Sequence, residues 1–227
     1  MENRGLFVTG TDTEVGKTFV ACQLLRILRQ RGHQVAAYKP VASGGEIENA
    51  RTDPSQLVEA AGLALTQANL NLVCPQFFHA ALAPPVAAEL EGKHVDEELL
   101  TAGLERWFDS PHAWQAMVVE GAGGLLSPVS ASRTVLDVAT AIGYPVAVVA
   151  ANRLGVVNHT LLTLAQLRSA SLDVVAVVLN TVSSDGDSAR DDASSSSNRE
   201  LLERFTDTPV VESAEALCDL AFPCKIA

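Results

Sequence analysis

Lys17 and Thr18 close the stretch "GTDTEVGKT" (Gly10–Thr18), a lysine and a hydroxyl residue at the end of a glycine-bounded loop. That order suits phosphate chemistry: the ammonium can reach the β- and γ-phosphates of a nucleotide, and the hydroxyl can ligate Mg²⁺. The usual pattern places four residues between the first glycine and Gly-Lys-Ser/Thr. Here Thr11, Asp12, Thr13, Glu14 and Val15 separate Gly10 from Gly16, one residue more than the pattern allows. A plain glycine turn opening a helix is the competing reading, and only the surrounding elements can decide between them.

Magnesium favours carboxylates, waters and phosphate oxygens over a complete protein cage, so a carboxylate is expected near such a loop. Glu120 ends the apolar run "AMVVE" and is followed by Gly121, Gly123 and Gly124, which leave room for a close ligand. Asp53 is a second candidate, and its spacing serves equally as the N-cap of a helix beginning at Pro54. Lys39 closes another apolar run and faces either solvent or an anion. Ser43 lies four residues further on, an ordinary loop serine unless it points into the same crevice.

The elements that must carry these groups alternate. "GLFVTG" (5–10) reads as a strand and "KTFVACQLLRILRQRG" (17–32) as a helix, which puts the glycine loop between strand and helix, where backbone N–H groups bind phosphate. "VAAYKP" (35–40) reads as a strand and the polar segment 41–53 as an exposed loop. Prolines 75, 84 and 85 predict that the early part of 69–93 is irregular, with a helix beginning only near "VAAELEG". A helix is expected over 96–108, a strand over 116–124, then helix, strand, helix and strand to Asn180. Near-continuous Val, Ala and Leu strands alternating with helices predict an α/β fold, a single-domain parallel β-sheet with helices on both faces. In such a sheet the loops after Val8, Lys39, Val119, Ala150 and Leu179 share one rim, where ligands bind. The serine-rich segment 183–198 is expected to be a mobile surface loop.

At 227 residues and 48% hydrophobic content, one domain is the default reading. A net charge of −11 argues against binding to nucleic acid or an anionic membrane, which needs a basic face. The four cysteines match no common zinc spacing, the histidines do not pair at metal spacing, and no apolar run is long enough to cross a membrane. A cytoplasmic protein is expected.

The segments "FVTGTDTEVGKT", "YKPVASG", "VVEGAGGLLSP" and "RLGVVNHTLLT", in this order, resemble the dethiobiotin synthetases, from Phe7 to about Asn180. The resemblance implies a P-loop NTPase-like fold and a homodimer. It also implies ATP-dependent ring closure of 7,8-diaminononanoate with CO₂. Thr11, Lys17 and Lys39 would act on the carbamate and the transferring phosphoryl group. The loop Thr13, Glu14, Val15, Gly16, Lys17 and Thr18 would wrap the nucleotide, while Thr18, Asp53 and Glu120 would surround Mg²⁺. Ser43 and Gly123 would border the diamine or its carbamate. Gly155, Val156, Val157 and Asn158 would hold the substrate tail of the neighbouring subunit. Asn180 would face the adenine, with Pro209 and Glu212 beside it, although "TPVVESAEAL" lacks the glycine the family usually carries there.

Two rivals share the fold. Nucleotide-switched partitioning ATPases carry an extra early lysine in the loop, absent from Thr11–Val15, and need a basic or amphipathic surface. Amide-forming ligases of corrinoid synthesis normally carry a glutaminase domain, for which 227 residues leave no room.

Overall fold

The computed structural model describes residues 4–47, 49, 51–181 and 195–223. In chain order the elements are β1 (Arg4–Gly10), α1 (Lys17–Gln30), β2 (Val35–Tyr38), β3 (Ala42–Ser43), α2 (Asp53–Ala60), α3 (Gln67–Val73) and β4 (Phe77–Phe78). There follow α4 (Pro84–Leu90), α5 (Leu99–Ala102) running into a 3₁₀ turn (Gly103–Trp107), β5 (Ala116–Gly124), α6 (Val135–Ile142) and β6 (Val146–Ala151). The chain continues with α7 (Val156–Ser169), β7 (Val174–Asn180), α8 (Ser195–Phe205), β8 (Val210–Val211) and α9 (Ala214–Ala221).

Six strands form one parallel sheet in the order β2-β5-β1-β6-β7-β8. The sheet is buried on both faces, which is why its strands lack polar alternation: β6 is buried at every position. From β1 the chain turns first toward β2 and β5, then crosses to β6 on the other side, so the carboxyl end of β1 faces the crevice where such sheets bind ligands. β5 bulges at this rim. Val8 pairs with Glu120 but Gly10 with Gly124, so the glycine turn is looped out beside the end of β1.

Several expected elements differ. The segment 41–53 is not an exposed loop: Val41 and Ala42 are buried, and β3 pairs with β4 in a small second sheet. Residues 67–73 form a helix that the prolines do not touch, started by Thr66, whose hydroxyl accepts from the Asn69 amide at 3.3 Å. The helix expected over 96–108 is cut to α5 and a 3₁₀ turn where Gly103 passes beneath Tyr38; a Cβ there would lie 2.3 Å from the Tyr38 hydroxyl. Thr52, not Asp53, is the N-cap of α2, and Asp53 is its first helical residue. Ser195–Asn198 belong to α8, and Asn198 is buried, so the expected mobile loop does not extend there; its remainder, 183–194, lies outside the described residues. Cys22, Cys74 and Cys218 are reduced and buried, and Cys224 lies outside the described residues.

Candidate active site

Gly10 ends β1, and the long loop that follows is held at both ends. The Thr11 amide donates to the Val149 carbonyl at 3.0 Å, continuing the sheet, and the Asp12 carboxylate accepts from the Thr13 amide at 2.7 Å. Glu14 and Gly16 have positive φ, 58° and 92°, a conformation that costs a glutamate more than a glycine. Gly16 is required by contact as well, since a Cβ would meet the Asn180 side-chain nitrogen at 2.0 Å. That nitrogen donates to the Val15 carbonyl at 3.0 Å, tying the loop's tip to the end of β7. α1 then starts at Lys17 without a side-chain cap, leaving first-turn N–H groups and the positive end of a 14-residue helix for an anion.

Lys17 is 7% exposed, and its ammonium donates to the Asp12 carbonyl at 2.9 Å. Burial, aided by the nearby Lys39 charge, lowers its pKa to about 8. Lys39 is buried at the end of β2, with its ammonium 2.6 Å from Glu120 Oε1 and 2.8 Å from Asp53 Oδ2. Thr18 Oγ1 donates to the same Glu120 oxygen at 2.7 Å. Burial works against the Lys39 charge, but the two carboxylates outweigh it and hold the ammonium above the ordinary lysine range. Lys39 in turn lowers Asp53. Glu120 is fully buried, and burial pushes its carboxyl up against the opposing pull of Lys39. Its second oxygen, Oε2, has no hydrogen-bond partner among the described residues. A buried acceptor in that condition is costly, and it marks the side of the cluster where a further cation could be bound.

Lys17, Thr18, Lys39 and Asp53 border a cavity of about 750 Å³, with Glu120 buried behind them. Thr13, Glu14, Gly16, Lys17 and Thr18 line it from the phosphate-loop side, with Lys39, Asp53, Ser43 and Gly123 facing them. The far wall is apolar, built from Ala81, Leu82, Ala83 and Pro84. Ser43 Oγ donates to the Leu82 carbonyl at 2.6 Å, which joins that wall to β3 and leaves the oxygen's lone pairs as acceptors.

Other expected site residues lie elsewhere. Thr11 and Val15 do not line the cavity; Val15 is buried beneath the loop. Asn180 sits behind the loop's tip, and the Pro209 carbonyl accepts from the Val177 amide at 2.8 Å. Glu212 is exposed and paired with Arg199 at 3.1 Å. Gly155, Val156, Val157 and Asn158 form the start of α7 beyond β6, away from this cavity of their own chain. The sequence reading missed Leu82, Gln56, Phe19 and Ser127, all of which line the cavity. Ser127 had a readable signal, a hydroxyl shortly after a glycine turn: its Oγ accepts from the Gly124 amide at 2.9 Å, and Gly123 beside it has φ 76°.

The chain matches the model of a family described as AAA domain over residues 4–223. A relative from Akkermansia muciniphila, the ATP-dependent dethiobiotin synthetase BioD, is 39% identical over 92% of this chain and 90% of its own. The BioD of Anaeromyxobacter sp. is 45% identical over 81% of this chain and 79% of its own. Among solved structures, a putative plasmid partition protein from Borrelia burgdorferi bound to AMPPNP superposes with a TM-score of 0.52 at 13% identity, covering 96% of this chain and 90% of that one. At that identity the likeness concerns the fold alone. With the phosphate loop, Glu120 and both lysines converging at one rim of a parallel sheet, the chain belongs to the AAA-domain family and, within it, to the ATP-dependent dethiobiotin synthetases, ligases on a P-loop NTPase-like fold.

Proposed function

We propose that this protein catalyses the ATP- and Mg²⁺-dependent conversion of 7,8-diaminononanoate and CO₂ to dethiobiotin, ADP and phosphate. The observation that carries this reading is the meeting of Lys17 and Lys39 with an uncapped helix N-terminus in a cavity whose opposite wall is apolar. The polar side suits a nucleotide and an anionic carbamate, and the apolar side an alkyl chain. One amine of the substrate adds to CO₂, forming a C–N bond and releasing a proton. A carbamate oxygen then takes the γ-phosphoryl group of ATP, and ADP leaves. The second amine attacks the activated carbonyl, phosphate departs with the C–O bond electrons, and loss of a proton leaves the cyclic urea.

In this scheme the chain supplies fixed charge and position. Lys17 and the α1 amides hold the phosphates, and Lys39 meets the charge that grows between the carbamate and the transferring phosphoryl group. Ser43 accepts a hydrogen bond from the diamine, and Gly123 lets it approach the backbone. Thr11 supports the carbamate end of the loop. Asn180, Pro209 and Glu212 are assigned to the base, with Glu14 near the nucleotide. The oxygen-only set of Thr18, Asp53 and Glu120, with the unpartnered Oε2, suits Mg²⁺. Among the described residues no cluster of three His, Cys, Asp or Glu side chains could hold a metal alone, which fits an ion shared with nucleotide oxygens. When bound, Mg²⁺ neutralises phosphate charge. Glu120→Gln is expected to raise the Mg²⁺ concentration for half-maximal activity about tenfold or more while changing the KM for the diamine less than threefold. A titration with MgCl₂ at saturating ATP measures this.

The reading includes a homodimer acting in the cytoplasm, without nucleic acid or membrane. No helix among the described residues is long and apolar enough to cross a membrane. Leu154, 81% exposed just before Gly155, suits burial by a second copy. If Gly155–Asn158 serve the partner's substrate, inactive Lys39→Ala and Asn158→Ala variants should complement on subunit exchange. Random mixing places both lesions in one site of each mixed dimer, so about a quarter of all sites regain activity. Confirmed exchange with no recovery would remove the shared site.

The overall test is an incubation with the diamine, bicarbonate and MgATP and no other macromolecule. Phosphate release that depends on the diamine, with a cyclic urea product, supports the reading. Phosphate release indifferent to the diamine contradicts it.

A further inference from the structure

Ser127, just beyond the glycine turn of β5, is held at three points. Its amide donates to the Gly124 carbonyl at 3.0 Å, its carbonyl accepts from the Val135 amide at 3.0 Å, and its Oγ accepts from the Gly124 amide at 2.9 Å. Backbone and side chain are therefore both fixed. The hydroxyl fills the space that a side chain on Gly123 would take, since a Cβ there would lie 2.6 Å from Ser127 Oγ. Both Gly123 and Ser127 line the cavity, so the oxygen stands at its wall.

A serine hydroxyl carries one proton and two lone pairs. One lone pair of Ser127 is taken by the Gly124 amide, and its proton meets no acceptor among the described residues. Ser43, the other serine lining the cavity, stands the opposite way: its proton is committed to the Leu82 carbonyl, so it can only accept. The wall facing the phosphate loop thus offers one acceptor and one donor. An ammonium group, the form that predominates in an alkyl diamine near neutral pH, has donors alone and no use for the Ser127 proton. Addition of CO₂ to the neutral amine forms a C–N bond, sends a C–O electron pair onto oxygen and releases the amine proton. An anionic acceptor for the Ser127 hydroxyl arises only at that point.

We propose that Ser127 is a substrate-binding residue selective for the carbamate over the diamine, its hydroxyl donating to a carbamate oxygen. The inference rests on the reading of this cavity as the place where the carbamate forms. Such a bond is absent from the diamine complex and present once CO₂ has added, so it stabilises the adduct without tightening the complex that precedes it.

The test separates the two ligands in the wild-type protein and in Ser127→Ala. Each is titrated with the diamine in CO₂-free buffer by calorimetry. Each is then titrated, at saturating diamine and without ATP, with ¹³C-bicarbonate while enzyme-bound carbamate is followed by ¹³C NMR. The variant should bind the diamine and AMPPNP within about twofold of wild type, as an intact glycine turn requires. Its half-saturating bicarbonate concentration should rise about tenfold or more, the scale for one hydrogen bond to a charged acceptor. Ser132→Ala, an exposed change further along the same loop, should leave both constants unaltered. A half-saturating concentration within about twofold of wild type, or an equal loss for diamine and carbamate, overturns the inference and leaves the cyclic-urea activity standing. No bound carbamate in the wild-type protein overturns the functional reading with it. Should the variant not fold, a crystal structure of the wild-type protein with diamine, bicarbonate and AMPPNP decides. Ser127 Oγ should lie about 2.7 Å from a carbamate oxygen, and a hydroxyl that meets only nucleotide or solvent overturns the inference.

Discussion

Lys39→Met is expected to lower stability and turnover together. The lysine is 2% exposed and is the cation shared by Glu120, which is fully buried, and by Asp53, whose side chain is about half exposed. Removing one partner of a buried pair costs roughly 3–5 kcal/mol, because the remaining charge is left in low dielectric. Glu120 can escape by taking a proton. Its carboxyl is already pushed up by burial, and without Lys39 it loses the main interaction that lowers it. A carboxyl whose folded pKa is raised above its unfolded value favours the folded state at low pH, and that contribution disappears as pH rises through the folded pKa. The variant's deficit should therefore shrink as the pH is lowered, a trend that urea unfolding at several pH values measures. Turnover should fall at least about 100-fold, the scale for one fixed charge at a transferring group. A variant within about 1 kcal/mol of wild type at pH 8 would contradict the buried ion pair.

Lys17→Gln is expected to separate the two effects. Lys17 is nearly as buried, but its one hydrogen bond is to the carbonyl of Asp12, an exposed residue that can turn to water. Burial already disfavours its charge, so a neutral side chain gains back part of the desolvation cost. Stability should stay within about 1 kcal/mol of wild type while kcat/KM for ATP falls at least about 100-fold. Chemical denaturation and steady-state kinetics on the same preparation check both halves. Near-normal activity in the folded variant would remove this loop from the phosphate site.

The two lysines also show what the sequence could and could not reveal. Strong local patterns carried the framework: an apolar strand ending in glycine, a helix opening on Lys17, and a strand over 116–124 that carries Glu120 all stand where periodicity places them. Lys39 was legible as a strand-end cation at the rim, but its counter-charges were not, because Asp53 and Glu120 reach it only through the packing of α2 and β5. Asp53 had two roles open by spacing. Thr52 takes the cap position, and the Asp53 side chain pairs with Lys39, a partner that spacing did not show. The apolar wall at 81–84 was hidden among prolines, since its place depends on the short β3–β4 pairing, two residues on each strand. The serine-rich composition concealed the start of α8, where the buried Asn198 outweighs the weak helix propensity of serine.

The central claim is that CO₂-derived carbamate oxygen accepts the phosphoryl group, and the fate of that oxygen tests it most directly. In a short single turnover with ¹⁸O-labelled CO₂, the diamine and unlabelled MgATP, one labelled oxygen should remain in the urea carbonyl and the other should appear in inorganic phosphate. Unlabelled phosphate formed alongside labelled cyclic urea would contradict the account, because the ring would then have closed without phosphorylation of the carbamate.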